Sequence, residues 1–200
     1  MSTSRAVLLI AVLVLSGCDT SVSQQATDCS EGVFRSQEGV IAFEAERVPL
    51  STGWVRQDEV DGYSGEGYLT WKLETNTQAN GQGLLRYRFE VEEPGTYTVK
   101  IRNYHPCEDI TECNDIFVRM NAGPWRKNFN HTFSAWDWNS RQDIDHEFSD
   151  ATYELEVGVH TLDLSGRSKD FSIDKIAIYH ADTPADAYQQ AAAVDCTAER

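Results

Sequence analysis

The sequence predicts an all-β protein, an antiparallel β-sandwich of the jelly-roll type with a short C-terminal helix or tail. No long segment shows apolar residues at the helical spacing of 3.6, while short alternating runs recur between turn residues. Seven to nine such runs separated by turn chemistry are typical of sandwiches. The 200 residues are 40% hydrophobic and 10% aromatic, which is enough for one core.

The predicted strands follow one another with recognisable turns between them. In chain order they are Ile41–Glu46, Leu85–Val91, Tyr97–Arg102, Asp115–Met120, Tyr153–Val157, His160–Leu164 and Phe171–Tyr179. Glu93-Pro94-Gly95 and Gly158 predict hairpins, and Asn121-Ala122-Gly123 predicts the turn after the fourth run. The helical candidate is the alanine-rich stretch from Pro184 to Val194.

Residues 1–17 predict a lipoprotein signal peptide. Arg5 supplies the positive end, and the ten residues from Ala6 to Leu15 are continuously apolar, about half the ~20 that a spanning helix needs. The following Leu15-Ser16-Gly17-Cys18 resembles the bacterial lipobox, in which the cysteine thiol carries the lipid. The alternative is an ordinary secretory cleavage that leaves Cys18 as a free thiol.

A lipid on Cys18 implies an exported protein anchored in a membrane, facing the periplasm or the cell surface. Residues 18–38 are rich in Ser, Gln and Thr and predict a flexible tether. The folded domain is then expected over residues 39–180, with a tail over 181–200.

Four further cysteines suit an oxidising compartment and predict two disulfides. Three pairings are open. Cys107 and Cys113 are six apart and could close one loop, which leaves Cys29 and Cys196 to join the two ends of the domain. A metal site built from these cysteines is disfavoured because no two of them have the close CxxC spacing.

The charge excludes one class of partner. Seventeen Lys and Arg against 32 Asp and Glu give a net charge of −15. Such a chain repels phosphate backbones, so nucleic acid is not an expected partner.

Five short motifs occur in an order that resembles carbohydrate-binding module families 6 and 35. They are Phe43-Glu44-Ala45-Glu46, the loop Gly62 to Tyr68, Pro94-Gly95-Thr96-Tyr97, Gly158 to Leu162, and Phe171 to Ile176. The resemblance covers about residues 39–180. It implies a non-catalytic jelly roll that binds a polysaccharide or oligosaccharide, with a separate polysaccharide-degrading enzyme as a candidate partner.

The same resemblance implies a structural calcium ion. Glu44 and Glu46 lie two residues apart in the predicted first strand, so their carboxylates leave one face and repel each other unless a cation intervenes. In the resembled families two such acids join an aspartate of the last strand, here Asp174. The alternative is that Glu44 and Glu46 line a solvated face and Asp174 pairs with a basic residue.

Sugar binding requires flat aromatic faces together with polar groups, so aromatic residues in loops are the candidates. The predicted site residues are Tyr63, Tyr104, Trp136, Trp138, Asn139 and Arg167. One of the two tryptophans is expected to serve packing. Arg167 and Lys169 would suit an acidic sugar.

Alternative interpretations remain for both the residues and the function. Trp54 and Trp71 are expected in the core, and Trp125 fits either role. An enzyme, such as a polysaccharide lyase, would draw on Tyr104, His105, His131, Arg141 and His146, although their spacing does not bring them together. The third possibility is an envelope scaffold lipoprotein that binds a protein partner.

Overall fold

Two antiparallel sheets of six strands each form the protein and confirm the predicted all-β sandwich. The structure is a computed structural model that describes residues 29–109, 112–138 and 141–198. The predicted signal peptide and Cys18 lie outside this range.

Twelve strands are found in the described part of the chain. They are β1 Val40–Glu44, β2 Trp54–Gln57, β3 Tyr68–Trp71, β4 Leu85–Val91, β5 Gly95–Tyr104, β6 Asp115–Met120, β7 Arg126–Phe129, β8 Arg141–Ile144, β9 Glu147–Ser149, β10 Ala151–Leu155, β11 Gly158–Ser165 and β12 Ser172–His180. Sheet I has the order β10-β5-β12-β3-β2, with β1 also paired to β12, and sheet II has the order β4-β11-β6-β7-β8-β9.

The two predicted hairpins around Glu93-Pro94-Gly95 and Gly158 are wrong. Strands β4 and β5 belong to different sheets, and so do β10 and β11. Each of these turns therefore carries the chain across the sandwich. A hairpin and a crossing leave the same alternation in the sequence, since in both cases alternate residues face the core. The predicted turn at Asn121-Ala122-Gly123 does join paired strands, β6 and β7.

The core lies between the sheets and contains Trp54 and Trp71, as the sequence predicts. Their exposed fractions are 5% and 0%, and their rings meet edge to face with centroids 5.4 Å apart. Gly166 lies against the Trp71 ring, so a methyl group at Gly166 would approach that ring to 2.2 Å. The core therefore accepts a side chain at this position only if Trp71 moves.

Replacing Gly166 by alanine is expected to cost about 1–3 kcal/mol of unfolding free energy, because the added methyl group must displace Trp71. Urea unfolding measures the loss. Gly123→Ala is a milder comparison, since its methyl group would come no closer than 3.0 Å, to the Met120 carbonyl oxygen. Equal stability of the two variants would contradict the packing of Trp71.

The flexible tether predicted for residues 18–38 is wrong for residues 29–38. Val33 and Phe34 are completely buried, and the Phe34 ring stacks on Phe43 with centroids 4.1 Å apart. Two disulfides are present, Cys29–Cys196 and Cys107–Cys113. Residues 29–38 thus belong to the folded domain because apolar side chains and a disulfide attach them to it.

The C-terminal segment crosses the outer face of sheet I. The predicted helix is reduced to one turn, α1 Ala187–Gln190, in which Tyr188 stacks on Tyr179 of β12 with centroids 5.2 Å apart. The Nζ of Lys175 donates a hydrogen bond to the Ala191 carbonyl oxygen at 2.6 Å. In the described residues no helix has the length and apolar character needed to cross a membrane.

Candidate functional site: an aromatic cleft beside a carboxylate group

A cleft of about 420 Å³ on sheet I contains three of the predicted site residues. We call it the aromatic cleft. Its walls include Tyr63, Arg102, Trp136, Trp138, Lys175 and Gln189. A cavity of about 460 Å³ beside α1 is slightly larger but has no aromatic residue in its walls. The aromatic cleft therefore has the chemistry that the sequence associates with sugar binding.

The segment that carries both tryptophans is fixed to the edge of β5. Strand β10 pairs with β5 only as far as Val99. Further along, Asn103 and Asp137 exchange two backbone hydrogen bonds of 2.9 and 3.0 Å. Because residues alternate along an extended chain, Trp136 and Trp138 lie on the same side of this segment.

Trp136 is held by contacts on several sides. Its ring centroid lies 5.0 Å from that of Tyr68 and 5.4 Å from that of Tyr104. Its Nε1 donates to the Asp61 carbonyl oxygen at 3.1 Å, and the Arg102 guanidinium carbon lies 5.6 Å from the ring centroid. The ring is half-buried, so it offers a fixed apolar surface to the cleft.

Trp138 and Tyr63 complete the aromatic walls. Trp138 packs edge to face against Tyr188 of α1, with centroids 5.4 Å apart, and Tyr63 packs on Tyr68 at 5.7 Å. Both tryptophans thus pack against the protein and also line the cleft. The C-terminal segment, through Tyr188, supports one wall.

Arg167 does not join this site. Its guanidinium binds the Asp115 carboxylate and lies over the Phe117 ring, 5.6 Å from the centroid. Arg167 therefore lies outside the aromatic cleft with its charge already paired, and its expected role in holding a sugar stays a prediction. Lys169 binds Glu74 at 2.6 Å. Asn139 lies outside the described residues.

The basic residues of the cleft, Arg102 and Lys175, were missed by the sequence analysis. Two signals point to them. Arg102 alternates with Tyr104 on β5, so the two share a face, and Lys175 directly follows Asp174. The predicted site residue Tyr104 is not among the cleft walls; its ring packs against Trp136, and its hydroxyl is 3.3 Å from that of Ser134.

The three predicted metal ligands surround the loop Ser64-Gly65-Glu66, and we call them the carboxylate group. Ser64 donates to Glu44 through its hydroxyl and to Asp174 through its backbone N–H, both at 2.8 Å. The Glu66 backbone N–H donates to Glu46 at 3.0 Å. A methyl group on Gly65, where φ is +67°, would lie 2.7 Å from a Glu46 oxygen, so glycine is required.

Glu46 is not on the first strand as the sequence predicted. Strand β1 ends at Glu44, and Glu46 lies in the 3₁₀ turn Ala45–Arg47. The two carboxylates nevertheless approach one loop, Glu44 from the end of the strand and Glu46 from the turn. The two carboxylates come together because the chain enters the 3₁₀ turn after Glu44, and the alternation of residues along a strand does not explain their proximity.

Burial raises the pKa of all three carboxylic acids. The pKa of Glu46 rises to about 7, and that of Glu44 rises because of burial and the nearby Asp174 charge. The pKa of Asp174 rises as well, although hydrogen bonds from Ser64 and Arg102 oppose the shift. One oxygen of Glu46 is buried without a hydrogen-bond partner. Burial is the largest cause of each shift, and the nearby basic residues do not offset it.

Arg102 connects the carboxylate group to the aromatic cleft. Its guanidinium binds Asp174, donates to the Gly62 carbonyl oxygen at 2.8 Å, and lies against Trp136. Across residues 29–109, 112–138 and 141–198, no group of three or more His, Cys, Asp or Glu side chains is arranged to hold a metal ion. Glu44 and Glu46 fit a cation because both are carboxylic acids and one buried oxygen of Glu46 has no hydrogen-bond partner. Asp174, in contrast, already binds Arg102.

The residues that an enzyme would use do not converge on one site, although His105 and His131 are neighbours. Tyr104 and His105 are consecutive on the extended chain and point to opposite sides of the sheet. His105 is completely buried, and burial together with the neighbouring His131 lowers its pKa. His146 is exposed in the turn between β8 and β9.

Comparison with known proteins identifies the fold. No family model matches the chain, and no curated protein sequence matches it. The Podospora anserina GH26-CBM35 β-(1,4)-mannanase aligns with a TM-score of 0.52 and 24% identity over 74% of this chain and 29% of that chain. A Paenibacillus cycloisomaltooligosaccharide glucanotransferase aligns with a TM-score of 0.50 and 16% identity over 72% and 19%.

A family 35 carbohydrate binding module from Clostridium thermocellum also aligns, with a TM-score of 0.49 and 14% identity over 71% of this chain and 98% of that chain. The chain spans less than a third of the two enzymes. Its fold is like that of part of these two enzymes, the first of which carries a CBM35 module in its name.

Proposed function

We propose that this protein binds a polysaccharide or oligosaccharide in the aromatic cleft without transforming it. The observation that carries the proposal is the convergence of Tyr63, Trp136 and Trp138 in one cleft of about 420 Å³. This size lies within the range of small-molecule sites. Aromatic rings suit the apolar face of a pyranose, and the neighbouring polar groups suit its hydroxyls.

Lys175 gives the cleft a place for an acidic sugar. Its ammonium group donates one hydrogen bond to the Ala191 carbonyl oxygen. An ammonium has three N–H bonds, so it has donors left for a carboxylate. This residue replaces Arg167 as the basis for proposing an acidic ligand.

We also propose that a calcium ion binds at the carboxylate group through Glu44 and Glu46, with Asp174 as the third ligand once Arg102 moves away. Calcium prefers six to eight oxygen ligands, among which carboxylates are common. The raised pKa values and the partnerless Glu46 oxygen support a cation here. The ion would stabilise the loop that carries Tyr63.

The location that we propose is the cell envelope, with a lipid on Cys18 as the anchor. A non-catalytic role is supported by the dispersion of Tyr104, His105 and His146. A separate polysaccharide-degrading enzyme is a candidate partner. Release of new reducing ends from any polysaccharide by the purified protein would contradict the non-catalytic role.

Replacing Trp136 by alanine is expected to weaken glycan binding by at least about tenfold, because the fixed stacking surface is lost. The measurement is tryptophan fluorescence of the purified protein, titrated with neutral and acidic polysaccharides, with calcium and with EDTA. Trp125→Ala is the matched control, since Trp125 lies under Arg119 and does not line the cleft. A cooperative thermal transition in both variants verifies folding.

Two results would overturn this proposal. The first is the absence of a saturable fluorescence change with every glycan in the panel. The second is equal loss of binding in the Trp125 variant, which would place the ligand elsewhere on the sandwich.

A further inference from the structure

A second cleft, of about 430 Å³, lies where sheet I ends at β10 and faces β8 of sheet II. We call it the open-edge cleft. Its walls include Met120, Arg126, Gln142, Ile144, Tyr153 and Leu155. Gln142 is 3% exposed, and its amide N–H donates to the Tyr153 hydroxyl across the gap between the sheets. None of its walls belongs to the aromatic cleft.

Arg126 in this cleft differs from the other basic residues. Every other Lys or Arg in the described part of the chain binds a carboxylate, a carbonyl or a hydroxyl. Arg126 is half-buried, and within that same part it has neither an ion pair nor a side-chain hydrogen bond. In a chain of net charge −15, a guanidinium without a carboxylate partner is an unused anion-binding group.

The Tyr153 hydroxyl supplies a second donor. It accepts a hydrogen bond from Gln142, and its own hydrogen has no acceptor among the described residues. Burial raises the pKa of Tyr153 to about 12, against the opposing charge of Arg126, so the hydroxyl keeps its proton at neutral pH. Two donors therefore face the same space.

The remaining walls combine aliphatic side chains with the polar residues Asn121, Thr152 and Glu154. Met120 and Leu155 are 7% and 4% exposed, and Ile144 is half-buried. Glu154, the carboxylate among the lining residues, is bound to the Thr96 hydroxyl. A ligand in this cleft would meet the two donors together with the aliphatic side chains of Met120, Ile144 and Leu155.

We propose that the open-edge cleft binds a small organic anion, a carboxylate carried on an apolar ring, through Arg126 and the Tyr153 hydroxyl. The guanidinium presents a planar pair of N–H donors that matches a carboxylate. The ring then lies against Met120, Ile144 and Leu155. This site is independent of the aromatic cleft and of the proposed glycan binding.

Benzoate is the probe, and benzamide is its neutral isostere. Titrated into the ¹⁵N-labelled protein, benzoate is expected to shift the amide signals of residues 120–126 and 151–155 saturably. Benzamide is expected to bind at least about tenfold more weakly, because it lacks the charge. Arg126→Gln is expected to weaken benzoate binding to the same degree.

Control variants distinguish a specific role of Arg126 from the general effect of removing a positive charge. Arg141→Gln removes an equal charge from the neighbouring strand β8 and is expected to leave benzoate binding unchanged. Trp136→Ala is expected to leave it unchanged as well, which keeps this test apart from that of glycan binding. Arg126→Lys, which retains the charge but loses the planar pair of donors, is expected to bind benzoate more weakly than the natural protein and gives a second variant if Arg126→Gln misfolds.

The proposal is overturned if benzoate shifts no signals near this cleft, if benzamide binds equally well, or if the Arg126 variants bind benzoate like the natural protein. Saturable binding that depends on both the carboxylate and Arg126 supports it.

Discussion

Replacing Cys29 and Cys196 together by serine is expected to lower the unfolding free energy by about 5 kcal/mol. The cross-link joins residues 167 apart in sequence, and the entropy that it removes from the unfolded chain grows with the logarithm of that length. Both cysteines are also buried in the core, at 2% and 7% exposure. Urea unfolding of the variant and the natural protein measures the difference.

The second disulfide is the control for this result. Cys107 and Cys113 are six apart, so the same relation gives about 2 kcal/mol for their replacement. An equal effect of the two replacements would show that closing the long loop contributes nothing extra.

Calcium is expected to raise the melting temperature by about 5–10 °C when its free concentration is about 100 times its Kd. The effect should depend on pH. The folded-state pKa of Glu46 is about 7, against an ordinary value of 4.5. Between these values the folded protein binds more protons than the unfolded chain, so in EDTA its stability falls as pH rises from 4.5 to about 7.

Calcium compensates the buried negative charge that appears once Glu46 is ionised. The gain in melting temperature is therefore expected to be larger above pH 7 than near pH 5. Thermal unfolding at both pH values, with calcium and with EDTA, measures this difference. The double replacement Glu44→Gln and Glu46→Gln is expected to abolish the response.

Glu66 offers a matched control in the same loop. It is exposed, and Arg56 lowers its pKa, so Glu66→Gln is expected to retain the calcium response. A melting temperature that is the same in calcium and EDTA at every pH would refute the calcium site. Glycan binding without calcium would separate that failure from the function of the aromatic cleft.

Seven of the twelve strands in the described residues were predictable because their pattern is local, whereas the short strands β2, β3, β7, β8 and β9 were not predicted. The runs Leu85–Val91 and Asp115–Met120 are strands with the predicted bounds, since their alternate residues face the core. Which sheet a strand joins was not predictable, because alternation is identical in a hairpin and in a crossing between sheets. The burial of Val33 and Phe34 depends on β4 and on a disulfide partner at the far end of the chain.

The candidate site was predictable in its aromatic residues and not in its charges. A tryptophan in a polar loop has few roles, so Trp136 and Trp138 stood out. A charged side chain forms an ion pair with the oppositely charged group that the fold places beside it. Arg167 pairs with Asp115, 52 positions away in sequence, and Arg102 pairs with Asp174, 72 positions away. Such pairs have no local signal.

The backbone pairing of Asn103 with Asp137 has a consequence for solubility. Beyond the last residue covered by β10, strand β5 would present unpaired N–H and C=O groups along an open edge, and such edges recruit strands from other molecules. The segment that carries Trp136 and Trp138 pairs with this edge at Asn103, and we expect it to hinder intermolecular sheet growth. Shortening that segment is therefore expected to cause aggregation, even in a variant whose core remains intact.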